Sequence, residues 1–332
     1  MQAFVTGSTG LLGNNLVRLL VEQGHQVKAL ARSRKKVDRL FEDLDVTPIV
    51  GDMRNVSGFS KELEGCDVLF HTAAYFREYY QPGDHWQALE EINIKGTRTL
   101  LEEAERRGIK KVIYVSSSTV IGMPSPGVPG DEATPTGKER EWNLYCKSKV
   151  LAEETVYDFL KSHSLPVVLI LPTFMFGPGD IAPTSSGQLI QNFLERKLPG
   201  IIDGGFTVVD ARDVAQAMIT AVQQGKSGER YIIGERYLDM ADLFKALEHV
   251  SGVPAPARVI PYFVTLAFAW VTQTIAQIRG SSTLVTVDSV RTSHLKRRVT
   301  AAKARRELGS TFRPFEETLR DEIAWYRRHP AA

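Results

Sequence analysis

The chain has 332 residues, 43% hydrophobic and 24% charged, with a formal net charge of +2. That balance excludes a disordered chain and gives no electrostatic case for a nucleic-acid partner. Cys66 and Cys146 lie far apart without metal-ligand spacing and the seven histidines form no cluster, so neither a disulfide scaffold nor a metal centre is expected, and a reduced cytoplasmic protein is.

Met1-Gln2-Ala3-Phe4-Val5 runs into Thr6-Gly7 without a basic start or a cleavage-type site, so the fold is expected to begin at the first residue. Through the first half, short β-branched runs alternate with longer amphipathic stretches, the pattern of βαβ units feeding a doubly wound parallel sheet. A strand over 2–6 leads through Gly7-Ser8-Thr9-Gly10-Leu11-Leu12-Gly13 into a helix over 11–23. Three glycines at that junction point to a dinucleotide: the first permits a tight turn, the second lets backbone approach a pyrophosphate, and the third allows helix and strand to pack. The second strand, 26–31, ends in Arg32-Ser33-Arg34-Lys35-Lys36, and no carboxylate appears before Asp38. A guanidinium there accommodates a ribose 2′-phosphate, which favours NADP(H) over NAD(H), with Arg32 first and Lys35 or Lys36 assisting; a solvated basic helix start is the competing account.

Strands follow at 46–50, 67–71, 111–116 and 166–171, with helices over 86–107 and 142–163. The second of these helices carries Tyr145 and Lys149, which share a face at i and i+4. A phenol with a pKa of roughly 10 exchanges protons poorly at neutral pH unless a cation favours its phenolate, and Lys149 is placed to be that cation. After Pro172 the texture becomes loop-rich, with Gly177-Pro178-Gly179, Pro199-Gly200 and Gly204-Gly205. Residues 1–172 are therefore expected to bind the nucleotide and 173–332 mainly the substrate, in two interleaved lobes.

These motifs together resemble an extended short-chain dehydrogenase/reductase, and more narrowly its dihydroflavonol-4-reductase-like branch. The resemblance rests on the Gly7/Gly10/Gly13 turn, Gly51-Asp52-Met53, His71-Thr72-Ala73-Ala74, Asn93 in Ile92-Asn93-Ile94-Lys95-Gly96-Thr97, Tyr114-Val115-Ser116-Ser117-Ser118, Tyr145/Lys149, Leu171-Pro172-Thr173 and Val209-Asp210-Ala211-Arg212-Asp213-Val214. It implies a Rossmann-type fold and a hydride-transfer enzyme. Tyr145 would donate a proton to a substrate carbonyl as hydride arrives from the nicotinamide, and Lys149 would bind the nicotinamide ribose and favour the phenolate. Ser117, or next Ser118, would hydrogen-bond the same oxygen; in a strand the two point to opposite faces, so only one is expected to serve. Thr9, Leu11 and Leu12 would join the glycines at the cofactor, Asp52 and Met53 would flank the adenine, Thr72, Ala73 and Ala74 would line the cofactor, and Pro172 and Thr173 would meet the nicotinamide amide. Asp52 as a helix cap and Pro172 as a strand end are the competing accounts, and Asn93 reads as a structural or relay residue.

The substrate side rests on fewer residues. Pro172-Thr173-Phe174-Met175 departs from the nucleotide-sugar epimerase pattern and resembles the ketone-reducing one, whereas 180–187 and 284–288 resemble bacterial hopanoid-associated sugar epimerases. Tyr75-Phe76-Arg77-Glu78-Tyr79-Tyr80 is expected either to wall a pocket or to pack on itself, with Phe174, Met175 and Phe206 as further apolar candidates. An uncharged carbonyl or alcohol is the expected partner, the alternative being a sugar epimerised or dehydrated over retained NAD(P). The apolar stretch 261–280 is interrupted too early to span a bilayer and is expected to form an amphipathic helix of the substrate lobe, with membrane contact at most peripheral. A homodimer through the helices at 86–107 and 142–163 is implied by the resemblance alone.

Overall fold

The computed structural model describes residues 1–76, 79, 83–234, 236–279 and 285–329. In the first half, strands β1 (Gln2–Thr6), β2 (Gln26–Ala31), β3 (Val46–Val50), β4 (Val68–His71), β5 (Lys111–Val115) and β6 (Val167–Pro172) alternate with helices α1 (Leu11–Glu22), α2 (Arg34–Leu40), α3 (Trp86–Leu89), α4 (Gly96–Arg106) and α5 (Leu144–Leu160). Most positions in these strands are apolar because helices cover both faces of the sheet. Ala3, Val5, Ala29, Phe70, Ile113 and Ile170 pack to one side, Phe4, Leu30, Leu69, Val112 and Leu169 to the other, the two-residue period of an extended chain.

The helix expected over 86–107 is not uniform. Between α3 and α4 the chain opens into a wider π turn, Glu90–Lys95. At Gly96 a Cβ would sit 2.8 Å from Met53 O, so the backbone lies against the β3–β4 connection. The wide turn carries Asn93 inward, where its Oδ1 accepts from Tyr75 N at 2.7 Å and its Nδ2 donates to Ser148 Oγ at 3.1 Å. Such turns interrupt helices mostly where a side chain is needed off the regular register.

The second half runs β7 (Phe174–Phe176), α6 (Ser185–Leu194), β8 (Ile201–Ile202), β9 (Gly205–Asp210), α7 (Ala211–Gln224), β10 (Arg230–Ile233), β11 (Arg236–Asp239), α8 (Met240–Ser251), β12 (Val259–Ile260), α9 (Tyr262–Arg279), α10 (Val287–His294), α11 (Ala302–Leu308) and α12 (Phe315–Arg328). It does not stay apart from the first. β10 joins the main sheet beside β6, giving the order β10-β6-β5-β4-β1-β2-β3 with every pairing parallel. α7 and α11 bury Val214, Ala215, Met218 and Ala304 with Leu16 and Val17 of α1 in the first-half core. The remaining elements build a lobe around Phe176, Phe193, Phe244 and Leu319, with β7, β9 and β11 as its small sheet. Strand order reverses between β1 and β4, and ligands of open parallel sheets bind outside the strand ends at such a point.

α9 is amphipathic in an unusual sense. Thr265 and Ala269 are buried and Gln273 Oε1 accepts from Val287 N at 3.1 Å, while Phe263, Trp270 and Ile278 are exposed. Its apolar side therefore does not cover the lobe core. No helix among the described residues is long and apolar enough to cross a membrane.

Candidate active site

A cleft of about 2050 Å³ lies along the carboxyl ends of the sheet strands and continues between the sheet and the lobe. The glycines of the turn, Thr9, Leu11, Leu12, Arg32, Lys36, Asp52, Met53, Thr72 to Phe76, Ser117, Ser118, Tyr145, Lys149 and Pro172 to Met175 all line it. Gly7 has φ +66°, and a Cβ there would sit 2.7 Å from Ala73 N; a Cβ at Gly13 would sit 2.2 Å from Gly7 O. At Gly10 the nearest atom to an added Cβ is 3.5 Å away, so its cleft side is open. No acidic residue stands in the first turn of α1, whose leading N–H groups lack helical acceptors and favour negative charge. Thr72 Oγ1 donates to Thr6 O at 2.6 Å and Ala73 N to Thr6 Oγ1 at 3.2 Å, clamping the β4 loop on the glycine turn. Beneath them His71 bridges Thr6 and Thr97 through its two ring nitrogens at 2.8 and 3.1 Å, and burial pushes it down to about 3, so the bridge is a neutral imidazole.

Arg32 and Lys36 line the cleft at the end of β2; Lys35 does not. Arg39 of α2, which the sequence analysis missed, lines it one helical turn beyond Lys36. Asp52 accepts from Arg54 N at 2.9 Å within its own turn and lines the cleft; it does not cap the short helix that follows, whose N-cap position is Asn55. Asn14 and Asn15 were also missed: they donate to Gly179 O at 3.1 Å and Pro178 O at 2.8 Å, tying the 177–179 loop to α1. Their signal was present in the sequence as two amides directly after the third glycine of the turn.

α5 starts at Asn143, whose Oδ1 accepts from Cys146 N at 2.8 Å. On successive turns of its buried side come Tyr145, Lys149 and Glu153. Lys149 Nζ donates to Val115 O at 2.9 Å, and burial pushes the ammonium down to about 8. With three donors and that one acceptor among the described residues, it has protons to spare for ligand hydroxyls. Burial raises the Glu153 carboxyl, which Arg230 of β10 meets at 3.3 Å. Open space at Gly10, the free helix start and this under-engaged cation fit a bound dinucleotide. Ser117 Oγ accepts from Thr119 N at 3.2 Å as β5 gives way to a short 3-10 turn. Strand alternation has ended at Val115, so Ser117 and Ser118 both line the cleft, against the expectation that they oppose each other.

Rings cover the Tyr145 side chain. Phe76 lies 4.9 Å and Tyr79 6.3 Å from it between centroids, and Tyr75 and Phe76 line the cleft while Tyr79 and Leu89 pack behind. The segment is thus both wall and packing core; Arg77, Glu78 and Tyr80 fall outside the described residues, as does Leu284. Phe174, also in the cleft lining, stacks on Phe206 at 4.5 Å between centroids.

The chain matches the NAD dependent epimerase/dehydratase family over residues 3–234. It is 34% identical over 330 residues to a putative dihydroflavonol 4-reductase of Synechocystis sp., covering 98% of this chain and 94% of that protein. It is 30% identical over 330 residues to sterol demethylase protein B of Methylococcus capsulatus, covering 98% of each. Among solved structures, that of gox2253 superposes with a TM-score of 0.84 at 32% identity, covering 99% of this chain and 98% of that one. With a glycine turn at the switch point, a Tyr-Lys pair beside the serines and these relatives over its whole length, the chain belongs to the NAD dependent epimerase/dehydratase family, as an NAD(P)-binding oxidoreductase of the dihydroflavonol-4-reductase-like branch of the extended short-chain dehydrogenases/reductases.

Proposed function

We propose that the protein is an NADP(H)-dependent carbonyl reductase, or the alcohol dehydrogenase of the reverse reaction, acting on an apolar or aromatic aldehyde or ketone. One observation carries this reading: Tyr145 and Lys149 line the same cleft as the rings of Tyr75, Phe76, Phe174 and Phe206, with Phe76 4.9 Å from Tyr145 between centroids and Phe174 stacked on Phe206. Bound along the strand ends, the nicotinamide cofactor supplies the hydride for the carbonyl carbon. Tyr145 donates its phenolic proton to the carbonyl oxygen. Lys149, held by Val115 O, offers positive charge where the phenolate develops. Ser117 accepts a backbone N–H and so keeps its own proton to donate to the same oxygen, with Ser118 as neighbour.

Names of relatives support a reductase, among them the putative dihydroflavonol 4-reductase and a cinnamoyl-CoA reductase of Medicago truncatula. A second reading keeps a tightly held NAD(P) and returns the hydride within one turnover, as an epimerase or dehydratase. The family description and the cleft volume favour it.

One experiment tests both. NADPH absorbance is followed with a panel of aliphatic, aromatic and flavonoid-like carbonyls, and Tyr145→Phe is expected to lower turnover by about 10²–10⁴-fold while NADPH affinity is kept. If no carbonyl consumes NADPH and cofactor co-purifies with the protein, the reductase reading is wrong and the retained-cofactor one takes its place.

A further inference from the structure

Among the described residues eleven large hydrophobic side chains are conspicuously exposed, and eight of them lie from Val259 to Ile278. Seven belong to α9: Phe263, Val264, Phe268, Trp270, Val271, Ile275 and Ile278, with Phe263 72%, Trp270 65% and Ile278 82% exposed. Their spacing of three, four and seven residues gathers them, with Ala267 and Thr274, on one continuous face. The one hydroxyl on that face, Thr274 Oγ1, donates back to Trp270 O at 2.8 Å, and Thr272 Oγ1 at its border donates to Phe268 O at 2.9 Å. Both hydroxyls are thus satisfied within the helix. A patch of this size left bare in water needs a covering surface.

Charge and continuity indicate what covers it. From His249 to Val287 the sequence contains no carboxylate, and its arginines, Arg258 just before β12 and Arg279 in the last turn of α9, are both exposed. An apolar helix face with an interfacial tryptophan, flanked by cations and free of acids, suits the headgroup boundary of an anionic bilayer, where an acidic protein surface would offer the cations a partner but the rings nothing. Moreover, Val264 and Phe268 belong both to this face and to the lining of the active-site cleft, joined there by Thr265 and Thr272. The cleft mouth and the bare face are one surface. No helix among the described residues can cross a membrane, so attachment would be to one leaflet.

We infer that α9 seats the enzyme on an anionic lipid surface, with the cleft opening onto the bilayer to take a membrane-dissolved carbonyl or alcohol. The docking stands on α9 alone; the identity of the cargo rests on the carbonyl-reductase reading.

The test uses the full chain in flotation with vesicles of phosphatidylcholine alone and of phosphatidylcholine with phosphatidylglycerol. Wild-type protein floats with the anionic vesicles, less so as salt is added. Combining Phe263→Ser, Trp270→Ser and Ile278→Ser lowers flotation at least tenfold, whereas NADPH affinity and turnover of a water-soluble aldehyde are unchanged, since none of the three lines the cleft. Tryptophan emission shifts to the blue on binding, and Trp270→Phe removes that shift while flotation persists. Protein that floats with neither vesicle overturns docking, as does a concentration-dependent dimer abolished by the triple variant, which would make a second copy the cover. Flotation without turnover of any carbonyl upholds docking and removes only the cargo.

Discussion

At the scale of single residues, Lys149 decides the pH behaviour. Burial holds its ammonium at about 8, below the 10.5 of an exposed lysine, so between those values the unfolded chain binds a proton that the folded chain has released. Stability attributable to this residue therefore rises with pH across that window, and below about 8 the buried charge is a cost. Activity runs the other way, because the charge that supports proton release from Tyr145 disappears as pH climbs through about 8. A profile of kcat/KM for carbonyl reduction should fall above about pH 8, while the melting temperature shows no parallel loss from Lys149. An activity that stays level to pH 10 would mean that Tyr145 works without its neighbour's charge.

Elements decide which cofactor enters. β2 ends with Arg32 at the cleft, and α2 adds Lys36 and Arg39 one turn apart, while Arg34 turns to Asp38 at 3.5 Å. These cations, with Glu42 and Asp43 further along the same rim, are the proposed seat of the 2′-phosphate of NADP(H). Hydrogen bonds to a charged group contribute about 1.5–3 kcal/mol, so Arg32→Ala should weaken NADPH binding roughly 10- to 100-fold and leave NADH nearly untouched, as read by titration. Equal affinities in both proteins would remove the NADP(H) preference. The strands, α1 and α5 were readable in advance because β-branched runs buried on both faces and i, i+4 spacing leave marks in one dimension. Lys36 and Lys35 could not be told apart that way, since adjacent helical residues differ only once the helix is rotated against its sheet. The π turn around Asn93 was hidden for a similar reason: the contact of Gly96 with Met53 that shapes it joins segments more than forty positions apart. α9 looked like an ordinary lobe helix because hydropathy marks an apolar face without telling whether it points in or out.

At the scale of the whole molecule, the late strand β10 and the helices α7 and α11 complete a body that the first half begins. A fragment of residues 1–172 leaves the outer edge of β6 unpaired and strips Val214, Met218 and Ala304 from the α1 side of the core. Such a fragment is expected to aggregate or to bind a hydrophobic dye without a cooperative melt; a sharp, reversible thermal transition would show that the nucleotide half folds alone. The same strand sets a timetable for biosynthesis. A ribosome adding about 5–20 residues per second needs roughly 3–12 s to travel from the end of β6 to the end of β10. Throughout that interval the growing polypeptide carries the outer edge of β6 without its partner strand, an unpaired ladder open to association with other chains.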